Sequence, residues 1–155
     1  MLNRELIGFV HEPVMMILAV RDLQGRPAIA RGLGARASED GTRLDAFLSR
    51  AQWPEVAGGC ATGAGLAVTF CRPATYRTYQ IKGRVLDAGP LDAADLALAR
   101  RYVRDTRAVL NGLGVGDGLI DHWLVDRDLV RVCMTPLSVY DQTPGPQAGR
   151  ALQDA

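Results

Sequence analysis

The chain has 155 residues, 18 Lys and Arg against 17 Asp and Glu, a formal net charge of +1, and 48% hydrophobic and 23% charged residues. That length suits one domain able to bury roughly two-thirds of the surface its unfolded chain exposes, and the balanced charge excludes a disordered tail protein and argues against nonspecific nucleic-acid binding. No apolar run approaches the roughly 20 residues of a membrane span, and Met1-Leu2-Asn3-Arg4-Glu5 lacks the apolar core of a secretory signal, so the expectation is a soluble cytoplasmic protein with neither membrane nor nucleic acid as partner.

In chain order, Asn3 caps a short helix through Val10 with Leu2, Leu6, Phe9 and Val10 on its apolar side, and Pro13 stops it. The run Val14 to Val20 is continuously apolar and ends in Asp22-Leu23-Gln24-Gly25, the pattern of a strand buried on both faces before a tight turn. Pro27 to Ala37 reads as a second strand, with Ile29, Arg31, Leu33 and Ala35 on one face and Ala28, Ala30, Gly32, Gly34 and Arg36 on the other. The turn composition of Ser38-Glu39-Asp40-Gly41 then makes a hairpin with a third strand, Arg43 to Ser49.

Trp53-Pro54-Glu55-Val56-Ala57 starts a helix that Gly58 and Gly59 keep short. Gly65 to Cys71 is a strand, turned at Arg72-Pro73-Ala74 into a long strand, Thr75 to Val85, which pairs with it antiparallel. Tyr79, Ile81 and Val85 share the core face of that strand, while Tyr76, Thr78, Gln80, Lys82 and Arg84 share an unusually polar outer face. After Gly89-Pro90, Asp92 caps a helix of about five turns whose stripe runs Leu98, Tyr102, Thr106, Val109, Leu113. Its arginines at 100, 101, 104 and 107 lie off the stripe and read as a solvated face. The glycine-rich stretch 112–118 follows a helix rather than a strand and so reads as cap and loop, not as a dinucleotide turn. Leu129 to Tyr140 is the last strand, and 142–149 is loop composition.

Strands joined by turns rather than helices define an antiparallel sheet, and their number lets it close as a small β-barrel with flanking helices. Cys60, Cys71 and Cys133 are odd in number and widely spaced, so they build neither a disulfide framework nor a metal or redox pair. His11 and His122 have no neighbour at metal-ligand spacing, and Ser49 and Ser138 have no histidine and carboxylate arranged for hydrolysis.

The order of elements, with Gly25-Arg26-Pro27, the hairpin to Leu48-Ser49-Arg50, Leu66 to Phe70 and Tyr79-Gln80-Ile81-Lys82-Gly83-Arg84, resembles the pyridoxamine 5'-phosphate oxidase-like family over about Val14 to Tyr140. The resemblance implies a single antiparallel FMN-binding split barrel over 1–155: a helix in 1–12, the barrel with inserted helices in 13–141 and a tail in 142–155. It also implies a homodimer with FMN at the subunit interface, acting as an oxidoreductase on a small-molecule substrate. Residue by residue, Arg31 falls where the family often places a phosphate-binding arginine, Arg36 near its second basic position, and Ser49-Arg50 at its Ser-Arg-Lys turn, with Ala51-Gln52 here replacing the lysine. Gln80 matches the glutamine expected beside the flavin ring, with Lys82-Gly83 after it. The family's substrate-binding arginine and histidine near the carboxyl end are missing from Arg150 to Ala155, which argues against pyridoxamine phosphate oxidation itself.

Physical chemistry supports that reading independently. A flavin phosphate carries about two negative charges, which arginine forks and hydroxyls hold well, and Gly32 and Gly34 with Ala30 would allow a ring or backbone close approach. The same residues also have plain structural readings: Arg31 and Arg36 as surface cations, Gln80, Lys82 and Arg84 as the wet face of a sheet, Gly32 and Gly34 as a bulge or barrel corner. Trp123 reads as core or interface packing, or as an aromatic reaching the flavin edge in the partner. Two rival functions remain open at this point: a flavin- or haem-binding sensor without turnover, and a cofactor-free structural dimer.

Overall fold

Period-two alternation of large apolar side chains closes this sheet on itself. The computed structural model describes residues 1–154, with side chains through Leu152; Ala155, the end of the expected tail, lies outside the described residues. The strands are β1 (Met15–Arg21), β2 (Pro27–Arg31), β3 (Ala35–Ala37), β4 (Leu44–Ser49), β5 (Gly65–Cys71), β6 (Thr78–Pro90), β7 (Leu129–Asp141) and β8 (Arg150–Asp154). Their order is β2-β1-β5-β6-β7-β4-β3, with β8 on the far end of β7 and every pairing antiparallel. This is the expected antiparallel barrel with flanking helices.

Closure depends on the break between β2 and β3. Gly32 N donates to Met16 O at 3.1 Å, while Leu33 N donates to Phe47 O at 2.7 Å and Phe47 N to Gly34 O at 3.0 Å. One bent segment therefore pairs first with β1 and then with β4. A Cβ on Gly32 would lie 2.8–2.9 Å from Leu18 and Met16, and Gly34 has φ +114°, so both glycines form a barrel corner rather than a platform for a ring. The corner also corrects the expected faces: Ile29 and Arg31 point outward, Leu33 and Ala35 are buried, and Arg36 points outward again.

The barrel interior is filled by Met16, Leu18 and Val20 of β1, Leu66, Val68 and Phe70 of β5, Ile81 and Val85 of β6, and Leu44, Leu48, Val132 and Met134 of β4 and β7, none more than 3% exposed. Burial of such side chains contributes about 1.5–3 kcal/mol each and is the main force holding the sheet closed.

Four helices flank it. In α1 (Arg4–Val10) Asn3 accepts from Leu6 N, and in α3 (Ala93–Gly112) Asp92 accepts from Asp95 N, both as expected from the sequence. The short α2 (Pro54–Gly59) buries Val56. The α3 stripe is rotated from the expected one: Ala99, Tyr102, Thr106 and Leu110 are buried, and Leu113, the C-cap past the helix end, is 50% exposed. Three elements differ from the sequence reading. The glycine stretch yields a helix, α4 (Asp117–Trp123), because the loop is over by Gly116. Residues 72–77 turn, with Tyr76 at φ 57°, so β6 begins at Thr78 and runs on to Pro90. The expected tail forms β8, recruited by the free edge of β7 rather than by an apolar pattern of its own. Among the described residues no helix is long and apolar enough to cross a membrane.

Candidate functional site

Register across the outer surface of β2, β1, β5, β6 and β7 aligns one continuous row. Arg31 lies opposite Ile17, Ile17 opposite Thr69, Thr69 opposite Gln80, and Gln80 opposite Tyr140. The next outward row is Ile29, Ala19, Ala67, Lys82 and Ser138. Two strands, β1 and β5, separate the ends of interest: Arg31 on β2 is three strand spacings, roughly 14 Å, from Gln80 on β6. The floor between them is small or apolar, made by Ile17, Ala19, Ala67 and Thr69.

Toward each end of these two rows stands a cation held by an aromatic ring. The Arg31 guanidinium lies 4.4 Å from the Trp123 ring centroid, and Lys82 Nζ lies 4.6 Å from that of Tyr140. Among the described residues neither cation has a carboxylate or other hydrogen-bond partner. Arg31 is half-buried, and desolvation pulls its pKa below the usual guanidinium value. A desolvated cation without a counter-charge is a place where an anion is favoured. Gln80 Nε2 donates to Thr69 Oγ1 at 3.1 Å, which fixes the amide on the floor of the row.

Three of the expected phosphate ligands are engaged by their own chain. Arg36 pairs with Asp45 at 3.2 Å and with buried Asp95 at 2.9 Å, so two carboxylates already satisfy its fork. Ser49 is fully buried and donates to Arg127 O at 2.6 Å. Arg50 makes a two-point contact with Asp128, at 3.0 and 2.7 Å. Arg36 lies on β3, Ser49 ends β4 and Arg50 follows it, on a segment that Gln52 ties to the carbonyl of His122, next to the Trp123 that stacks on Arg31. The fold therefore brings Arg31, Gln80 and Lys82 onto one face, while Arg36, Ser49 and Arg50 each have a partner within the chain.

The two sides are divided by a bulge at Gly83. A Cβ there would lie 2.0 Å from Thr135 O, and the register of β6 against β7 shifts between Lys82 and Gly83 and again between Val85 and Asp87. Beyond it the outer surface carries an ionic chain, Asp95–Arg36–Asp45–Arg131–Asp87, over buried Cys133, whose thiol burial pushes up to about 11.

Thr69 and Tyr140 were not singled out in the sequence. The signal that would have found Thr69 is the hairpin register around the turn at 72–77; Tyr140 comes from the distant β7. Trp123 supports Arg31 of its own chain, which neither of its sequence-level readings anticipated.

No family model matches the chain, and no curated protein matches it. Solved structures do. HupZ of Group A Streptococcus superposes with a TM-score of 0.55 at 13% identity, covering 96% of this chain and 100% of its own. An F420 reductase gives a TM-score of 0.52 at 18% identity, covering 85% and 93%. A candidate pyridoxamine 5'-phosphate oxidase from Lactobacillus delbrueckii gives 0.53 at 12% identity, covering 90% and 93%. At these identities the likeness concerns the fold, and the fold is the split barrel of pyridoxamine 5'-phosphate oxidase-like proteins.

Proposed function

We propose that this chain is one subunit of an FMN-binding homodimer that acts as an oxidoreductase on a small molecule. The observation that carries the reading is the row itself. A half-buried arginine without a carboxylate partner among the described residues stands roughly 14 Å from an amide and from a second cation, Lys82, across a floor of small and apolar side chains. That is the reach of a ribityl phosphate joined to a flat tricyclic ring. Two fold neighbours are named as redox enzymes, a reductase and an oxidase, which agrees with the reading.

When bound, FMN supplies hydride-transfer chemistry, and the protein supplies binding, orientation and electrostatics. Arg31 would hold the phosphate. Gln80 would meet the polar edge of the ring, and Lys82 would set a positive charge beside the edge that becomes electron-rich on reduction. Because an open sheet face gives a ligand only one wall, the second wall in this reading is another copy of the chain. Met15, Ile17, Ala19 and the 66%-exposed Ile29 give that face an apolar surface suited to a two-fold contact. The haem alternative loses His11, whose Nε2 accepts from Ala37 N at 3.2 Å, and keeps His122, which is exposed on α4 beside Trp123.

The test is the visible spectrum of the purified protein, titration with FMN and the oligomeric state in solution. Micromolar or tighter FMN binding by a dimer is expected, and Arg31→Ala should weaken it by about 1.5–3 kcal/mol, roughly tenfold to a hundredfold. A colourless protein that binds no FMN, or an Arg31→Ala variant with parental affinity, overturns the assignment. Reduction of the bound flavin by a nicotinamide would separate an enzyme from a sensor.

A further inference from the structure

Arg31 differs from the other engaged arginines in what holds it. Arg36, Arg50, Arg72, Arg77, Arg107 and Arg131 each have a carboxylate partner. Arg31 has the face of Trp123 instead. A carboxylate would orient the fork but neutralise it and compete with an incoming anion; an aromatic face orients the planar guanidinium and leaves its N–H edge and its charge available. Without that face, binding would have to freeze a long, rotamer-rich side chain.

Trp123 is itself placed with care. It is the last residue of α4, between Ile120, fully buried, and Leu124, 5% exposed, which anchor the helix end in the core. Gln52 Nε2 donates to the carbonyl of His122 at 2.6 Å, tying the helix end to the segment after β4. From the other side Arg107 of α3 pairs with Asp117 at 2.9 Å and Asp121 at 2.5 Å. The indole thus belongs to an element fastened at three points.

We infer that Trp123 is the positioning residue of the phosphate grip, holding the Arg31 guanidinium pre-oriented and un-neutralised for the anionic end of the cofactor. This rests on the reading of Arg31 as the phosphate ligand. It assigns Trp123 a role on its own subunit's arginine, with no contact to the ring required.

FMN and riboflavin, which share the ring and differ in the phosphate, separate the possibilities. Affinities for both are measured in the parent protein and in Trp123→Leu and Trp123→Tyr, with far-ultraviolet circular dichroism as the check on folding. Trp123→Leu should weaken FMN binding by roughly three- to thirtyfold while riboflavin binding stays within about twofold, and Trp123→Tyr should recover most of the loss. Equal weakening of both ligands shows a merely structural role and overturns the inference, as does an unchanged FMN affinity in Trp123→Leu. If that variant does not fold, the same split read in Trp123→Tyr decides the matter: a smaller loss confined to FMN supports the inference, and a loss shared with riboflavin or none at all overturns it. A parent that binds FMN no better than riboflavin overturns the placement of phosphate at Arg31, and a parent that binds neither overturns the flavin reading; each takes this inference with it.

Discussion

The two halves of the barrel's outer surface treat positive charge in opposite ways. On the β3–β4–β7 side, arginines are locked to aspartates: Arg36 to Asp45 and Asp95, Arg131 to Asp45 and Asp87, Arg50 to Asp128. On the β2–β1–β5–β6 side, Arg31 and Lys82 rest on aromatic rings and have no carboxylate among the described residues. The difference bears directly on the proposed site. Paired charges are self-sufficient and fix structure, whereas a cation oriented by a π-face keeps its charge for something else.

The boundary between the halves is the first thing to break. Gly83→Ala would drive a Cβ to within 2.0 Å of the Thr135 carbonyl, an atom of the backbone that cannot swing aside. The β6–β7 ladder would have to shift, and stability should fall by about 3 kcal/mol or more, read as a lowered denaturant midpoint. A variant of parental stability would show that the bulge does not set the register.

Next in size is the loss of a paired arginine. Arg36→Met leaves Asp95, whose side chain is 2% exposed, without its counter-charge, and should lower stability by about 2–4 kcal/mol. FMN affinity of the folded variant should stay within twofold. Arg31→Ala should show the reverse, with flavin affinity lost and stability little changed. If Arg36→Met reduces FMN affinity tenfold at unchanged stability, the two halves do not divide as described.

Much of this contrast was legible in the sequence, and its illegible part has a common cause. Asn3 and Asp92 announced their helices because a cap acts over three residues, and Gln80 and Lys82 were placed on the outer face of β6 because parity is local. What no local pattern shows is which arginine has a partner. Asp95 reaches Arg36 from α3, Asp128 reaches Arg50 from the segment before β7, and the Arg127 carbonyl takes the Ser49 hydroxyl. The resemblance assigned those three side chains by position, and the tertiary fold gives each of them a partner that no local pattern announces. The corner at Gly32–Gly34 hid the rest, since reading 27–37 as one straight strand puts Arg31 and Arg36 on opposite faces.

A smaller effect concerns pH on the paired side. Desolvation is the main cause that raises the Asp95 pKa above 3.8; Asp92 and Asp45 push the same way and Arg36 opposes them. The folded protein therefore binds this proton more tightly than the unfolded chain does. The group favours folding most at low pH, and that advantage is lost as pH rises from near 3.8 through the higher folded value, then stays constant. Asp95→Asn removes this contribution, so over that window its stability should fall less, or rise more, with pH than the parent's in denaturation followed against pH, the carboxylates held low, such as Asp40 and Asp141, making stability rise there. A steeper fall in the variant would mean that the Arg36 partner outweighs burial.

The smallest effect sharpens the comparison most, because it concerns an arginine that the family resemblance places at the phosphate. The Arg50 side chain is 60% exposed, and its Asp128 partner is 42% exposed, so water and salt screen the pair despite its two-point geometry. Arg50→Ala should change stability little, less still in high salt, and leave FMN affinity within twofold. Asp128 takes two of the five Arg50 N–H donors, so a phosphate would share the guanidinium with this carboxylate or exchange with it, and the Asp128 backbone is also fixed by the bond from Arg50 N to its carbonyl at 2.9 Å. A tenfold loss of FMN affinity in Arg50→Ala, with riboflavin binding unaffected, would show that this exchange takes place and that carboxylate-paired arginines also take part in the grip.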